Sequence, residues 1–97
     1  MPRSPVPMTV TVTAGSTSNP VFVETNNARA FCIPGGGGTM SASYTGDLRA
    51  TVIAGNATWK TWPWGTVAAP IDDLIIGGVT AVKFNATTAD GTGQVIQ

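Results

Sequence analysis

The chain contains no histidine and a single cysteine, so the commonest general base, the commonest metal ligand and any intrachain disulfide are all excluded. A Cys–His nucleophile and a Ser-His-Asp arrangement are excluded with them. Cys32 lies in the apolar run Ala30-Phe31-Cys32-Ile33, where a buried, inert thiol is the expected state. Asp72 and Asp73 are adjacent. On a strand they point to opposite faces and cannot act as a facing acid pair. In a loop they lack the oxygen spacing of an EF-hand. Asp47 and Asp90 sit beside Gly46 and Gly91 and read as turn residues. Lys60 and Lys83 could serve as bases in principle, but no motif positions a serine beside either. The glycine run 35–38 has no lysine near it and opens a strand rather than a helix, so it is no phosphate loop. A flexible hairpin tip, or a close backbone approach to a partner, is the expected use. No catalytic residue, cofactor site or metal site is expected.

The three tryptophans fall in one segment, Trp59-Lys60-Thr61-Trp62-Pro63-Trp64. In an extended segment Trp62 and Trp64 share a face and Trp59 takes the other. One arrangement puts Trp59 in the core and the other two on the surface, where they would fill a partner's pocket or stack on sugar rings. The alternative puts all three in the core. Asn56-Ala57-Thr58 and Asn85-Ala86-Thr87 match glycosylation acceptors, an expected coincidence in a chain rich in Thr and Asn.

These residues must be held by β structure. Met8 to Thr13 alternates strictly, with Met8, Val10 and Val12 on one side and threonines on the other. Further strands are expected at 21–24, 28–33, 39–44, 48–54, 57–62, 66–69 and 79–86, with a last one at 94–97. Turn residues separate them, and no helical apolar period is sustained. Such spacing predicts an all-β domain, a small antiparallel β-sandwich or jelly-roll-like barrel. Residues 8–97 form that single domain, and 1–7, with three prolines, an extended N-terminal arm.

The chain has 97 residues, of which 42% are hydrophobic and only 10% charged, against a usual ~25%. Five cations balance five anions. That footprint is too sparse for nucleic acid or a polybasic membrane anchor. No apolar run is long enough to span a bilayer, and the start lacks the apolar core of a signal peptide, so a cytosolic site of synthesis is expected. A surface this poor in charge is expected to meet neighbours.

A set of segments carries a resemblance. They are Phe31-x-Ile-Pro-Gly-Gly36, Tyr44-Thr-Gly-Asp47, Trp59-x-x-Trp-Pro-x-Gly65, Asp73-Leu-Ile with Gly77-Gly-Val-Thr-Ala-Val-Lys-Phe84, and a Gly-Thr-Gly-Gln-Val ending. In this order they resemble small β-sandwich virion proteins of tailed bacteriophages, both capsid decoration (cement) proteins and accessory proteins of tail or head fibres. The resemblance implies a many-copy structural part of a virion, assembled in the host cytoplasm and without catalytic residues. The implied partners are the major capsid protein or other virion proteins. A homo-oligomer is expected, a trimer or a dimer. The expected interface is the arm with Pro2, Arg3, Pro5, Pro7 and Met8, together with Trp62 and Trp64. A tail- or fibre-associated adaptor that binds host glycan through the tryptophans is the alternative.

Overall fold

The computed structural model describes residues 7–23, 28–75 and 78–96. Eight strands and one short helix follow in the order β1 (Pro7–Val12), β2 (Val21–Phe22), β3 (Arg29–Pro34), β4 (Met40–Thr45), α1 (Arg49–Ile53), β5 (Lys60–Thr61), β6 (Ile71–Leu74), β7 (Ala81–Ala86) and β8 (Gly91–Ile96). They form two four-stranded sheets, β1-β8-β3-β6 and β2-β7-β4-β5, antiparallel throughout. The all-β sandwich expected from the alternation is therefore the fold, and it is not a closed barrel.

Each sheet contributes its alternating inner residues to one core. Ala30 and Cys32 of β3 and Val95 of β8 face Met40 and Ala42 of β4 and Val82, Phe84 and Ala86 of β7. The core is built from small side chains around a few large ones. Two glycines of β8 make this possible. A Cβ on Gly93 would stand 2.2 Å from the Phe84 ring, and one on Gly91 would stand 2.3 Å from the Met40 sulfur. The two largest fully buried side chains thus lie over bare backbone of the opposite sheet.

The glycine run 35–38 is a turn closed by the Gly38 N–H donating to the Gly35 carbonyl at 2.9 Å. Its close backbone approach is internal. A Cβ on Gly35 would meet the Asp90 carbonyl oxygen at 2.0 Å, and one on Gly38 would meet the Ala89 side chain at 2.8 Å. The run packs against the β7–β8 turn, and Asp90 fixes that turn by accepting from the Ala14 N–H at 2.8 Å.

The strand expected over 48–54 is instead α1, with Leu48 at its N-cap position. Leu48 and Val52 are four residues apart, the spacing of a helical turn, and only Val52 is buried. The guanidinium of Arg49 lies 4.2 Å from the centre of the Phe22 ring, which ties the helix to β2. The stretch 66–69 forms only a bridge, between Val67 and Met40. The strand expected over 57–62 is two residues long, and the last strand starts at Gly91 rather than Gln94. Of the arm, 1–6 lie outside the described residues, and Pro7 already belongs to β1.

Cys32 is fully buried in this core. Burial pushes its thiol from the ordinary 9.0 up to about 12. An unfolded chain therefore ionises the thiol at a pH where the folded chain keeps it protonated. The resulting stabilisation is complete below pH 9 and is lost as pH rises from there toward 12. In urea unfolding at pH ~8 and ~11, the wild type is expected to lose more stability on alkalinisation than Cys32→Ala, since the other alkaline groups are common to both. Equal losses would show that the thiol is not held protonated by the fold.

Candidate functional site

The tryptophan segment leaves β5 and turns back at Trp62, where the Gly65 N–H donates to the Trp62 carbonyl at 3.0 Å. Gly65 adopts φ 65°, a conformation that suits glycine. The turn brings Trp62 and Trp64 into a stack, with centroids 5.2 Å apart and planes 26° from parallel. Tyr44 meets Trp62 edge-on at 5.4 Å and 75°. The Trp62 indole N–H donates to Asp73 Oδ2 at 3.0 Å. Trp62 is only 5% exposed. Trp64 is half-buried, and its indole N–H has no partner among the described residues. Such a donor costs about 1–3 kcal/mol, part of which the stack offsets. Trp59 is also half-buried, with the Lys83 ammonium 4.4 Å from its ring centre.

Trp62 is thus inside, against the arrangement that puts it on the surface, while Trp59 and Trp64 are both half-buried, so the three do not all lie in the core either. Trp62 is the buried anchor because Asp73, on a neighbouring strand of the other sheet, satisfies its N–H. One face of Trp62 is stacked on Trp64 and the residue is 5% exposed, so its own ring is not an open platform for a sugar.

Beside this cluster lies a cleft of about 610 Å³, with Tyr44, Asp47, Lys60, Trp62, Asp73 and Val79 in its walls. Its carboxylates, Asp47 and Asp73, are engaged in holding the fold. Asp47 accepts from the Thr58 N–H at 2.7 Å, and the Asp47 N–H donates to the Thr45 hydroxyl at 3.2 Å. The Thr80 N–H donates to the Thr45 carbonyl at 2.7 Å. A Cβ on Gly46 would stand 2.8 Å from the Gly78 carbonyl oxygen, so the cleft is the seam where these two loops meet. Asp72 and Asp73 point to opposite faces, as the strand demands. Asp73 serves Trp62, and Asp72 pairs with Arg29 on the exposed face of β3 and β6. Among the described residues no three Cys, Asp or Glu side chains cluster as metal ligands would.

The chain has no match among protein families, curated proteins or solved structures.

The structure does not gather the residues expected at an interface. Pro2, Arg3 and Pro5 lie outside the described residues. Pro7 opens β1. Met8, the next residue, is 46% exposed on the face that carries Val10 and the buried Val12. Trp62 and Trp64 sit apart from it, in the other sheet's β4–β5 corner. Among the described residues the most exposed large apolar side chains are elsewhere. Leu48 and Ile53 stand at the two ends of α1, 77% and 70% exposed. Reading 48–54 as a strand hid Leu48, because alternation assigned it to the same face as Val52, while Ile53 fell on the other face. Leu48 is turned out because it precedes the helix, with φ −59° and ψ 146° at the N-cap position.

Proposed function

We propose that the chain is a structural virion protein of a tailed phage, a decoration protein that docks on the outer capsid surface and stabilises contacts between capsomers. One contrast carries this reading. All four described aspartates are engaged in fold contacts and the thiol is buried, whereas Leu48 and Ile53 project apolar surface from α1. A buried side chain stabilises by burial, but an exposed large apolar residue on a low-charge domain is stabilising only once a partner covers it. The resemblance of the Phe31–Gly36 and Trp59–Gly65 segments to virion sandwich proteins supplies the partner, the major capsid protein. Neither sandwich sheet ends in a helix-sized insertion, so the domain is thin enough to tile a surface in many copies, each held by weak contacts that add up.

The test is sedimentation with empty capsids assembled from the major capsid protein of the same phage. The wild type is expected to sediment with the capsids in saturable amount. Leu48→Asp with Ile53→Asp is expected to unfold at an unchanged urea midpoint, since both side chains are already in water. It should lose at least about tenfold in affinity, the loss of two apolar contacts of ~1 kcal/mol or more each. Wild-type protein that stays in the supernatant, or that sediments with tails and not with capsids, would refute the capsid reading.

A further inference from the structure

The four outer strands of the sandwich are not equivalent. β2 and β5 are two residues long. β6 carries the carboxylates of Asp72 and Asp73. Short length and charge are the usual protections of a sheet edge against pairing. β1 has neither. It runs for six residues, Pro-Met-Thr-Val-Thr-Val, without a charge and with its one proline at the first position, and among the described residues β8 covers it on one side only.

Two prolines fix which backbone groups of β1 face outward. In the registers, Pro7 lies opposite Ile96 and Pro34 lies opposite Gly91. Proline has no N–H to give to a ladder. Alternate residues of β8 aim their backbone groups at β1 and at β3 in turn. Ile96 and Gly91 are five apart, so they aim at opposite neighbours. If Ile96 aims at β3 and Gly91 at β1, both prolines fall in pairs that need no hydrogen bond. The other choice places both prolines in pairs that do. Met8, Val10 and Val12 therefore bond to β8, while Thr9 and Thr11 present their N–H and C=O groups outward.

We infer that the free edge of β1 pairs antiparallel with β1 of a second copy of this chain, about a two-fold axis at Val10. This pairing goes beyond the capsid reading and does not depend on it. In the centred register Thr9 lies opposite Thr11 of the second copy, and Thr11 opposite its Thr9. Both outward residues then sit in hydrogen-bonded pairs, each exchanging two bonds. Threonine opposite threonine is a favourable cross-strand pair. On the inner face Met8 lies opposite Val12 of the second copy, which covers apolar surface that one chain leaves 46% exposed. The charge pattern selects the occupant. β1 brings no charge against its own copy, whereas β6 paired with itself would crowd four carboxylates. Identical strands meeting antiparallel form a closed two-fold contact, which makes the assembly a dimer and joins two four-stranded sheets into one of eight.

Sedimentation equilibrium of the full chain across micromolar concentrations tests the assembly, and amide hydrogen exchange tests the strand. The expected mass is twice the 9.9 kDa of one chain, falling to a single chain on dilution. The Thr9 and Thr11 amides should exchange at least about tenfold more slowly in the dimer than in the dilute protein, while those of Met8, Val10 and Val12 stay protected in both. Thr9→Lys with Thr11→Lys should give single chains with an unchanged unfolding midpoint. Should that variant fold poorly, Thr11→Pro removes one outward N–H and leaves the β8 ladder intact. A single-chain mass at every concentration would overturn the inference. So would a dimer in which Thr9 and Thr11 exchange as fast as in the dilute protein, or one that survives a folded Thr11→Pro.

Discussion

Replacing Gly93 by alanine is expected to lower the urea midpoint of the chain steeply, at a cost of about 3 kcal/mol or more. The new methyl would stand 2.2 Å from Phe84 Cδ2, 2.3 Å from Cγ and 2.7 Å from Cε2. These atoms belong to a rigid ring with no exposure to solvent. The ring cannot swing away without displacing Met40, Val82 or Val95, which fill the same core. Overpacking of this kind costs about 1–3 kcal/mol where neighbours can shift, and more where they cannot. A small domain has only about 5–15 kcal/mol in hand, and one of this length sits toward the low end. Gly91→Ala provides the control. Its Cβ would meet the Met40 sulfur at 2.3 Å, but methionine is flexible and can re-route. Urea unfolding should rank wild type above Gly91→Ala above Gly93→Ala. Phe84→Leu should recover part of the Gly93→Ala loss, so the double variant is less unstable than the sum of the singles. If Gly93→Ala unfolds at the wild-type midpoint, the sheets do not meet at Phe84 over Gly93.

The same two glycines explain where the fold could be read from the residue pattern and where it could not. Alternation in β1, β4 and β7 is written in apolar side chains, and those strands are legible from type alone, whereas β3 is apolar on both faces and buries Ala30 and Cys32 while Ile33 stays exposed. In β8 two of three inner positions are glycine, so the strand carries almost no apolar signal, and Asp90-Gly91 reads as a turn. Its inner face is filled by Phe84 and Met40, whose contribution is visible only once the sheets are stacked. α1 is hidden for a different reason. Five residues are too few to display a helical period, and Leu48, Ala50 and Val52 satisfy a strand equally well. The opposed faces of Asp72 and Asp73 follow from the pleat only once 71–74 is a strand, which the residue pattern leaves open against a loop. The acceptor role of Asp73 was not legible, because it depends on β6 and the tryptophan turn meeting across two sheets. The spacing puts Trp62 and Trp64 on one face of an extended segment, whereas their stack is made by the turn closed at Gly65, and which of the pair lies inside is decided by that acceptor. Only six of the residues 1–7 fall beyond the described chain, so the arm contributes nothing to this comparison beyond Pro7, which is already strand.

Trp62→Ala is expected to cost about 3–5 kcal/mol, the usual loss for an aromatic removed from a core. The indole gives up its burial, its stack on Trp64 and its edge contact with Tyr44 together. Trp62→Phe keeps a ring in the same place but loses the donor to Asp73, a hydrogen bond to a charged group worth about 1.5–3 kcal/mol. Its stability should therefore fall between the other two, and Asp73→Asn should lose less than Trp62→Phe because the amide oxygen can still accept. Fluorescence-monitored urea unfolding reads all three, since Trp59 and Trp64 remain to report. The pair of tests then separates architecture from docking. Trp62→Phe, folded but weakened, should sediment with capsids as the wild type does, because a 5% exposed ring reaches no partner. Leu48→Asp with Ile53→Asp should do the reverse, keeping its midpoint and losing the capsid. A Trp62→Phe protein that unfolds at the wild-type midpoint yet leaves the capsid would move the docking face from α1 to the tryptophan cleft, and with it the chemistry by which this domain holds a neighbour.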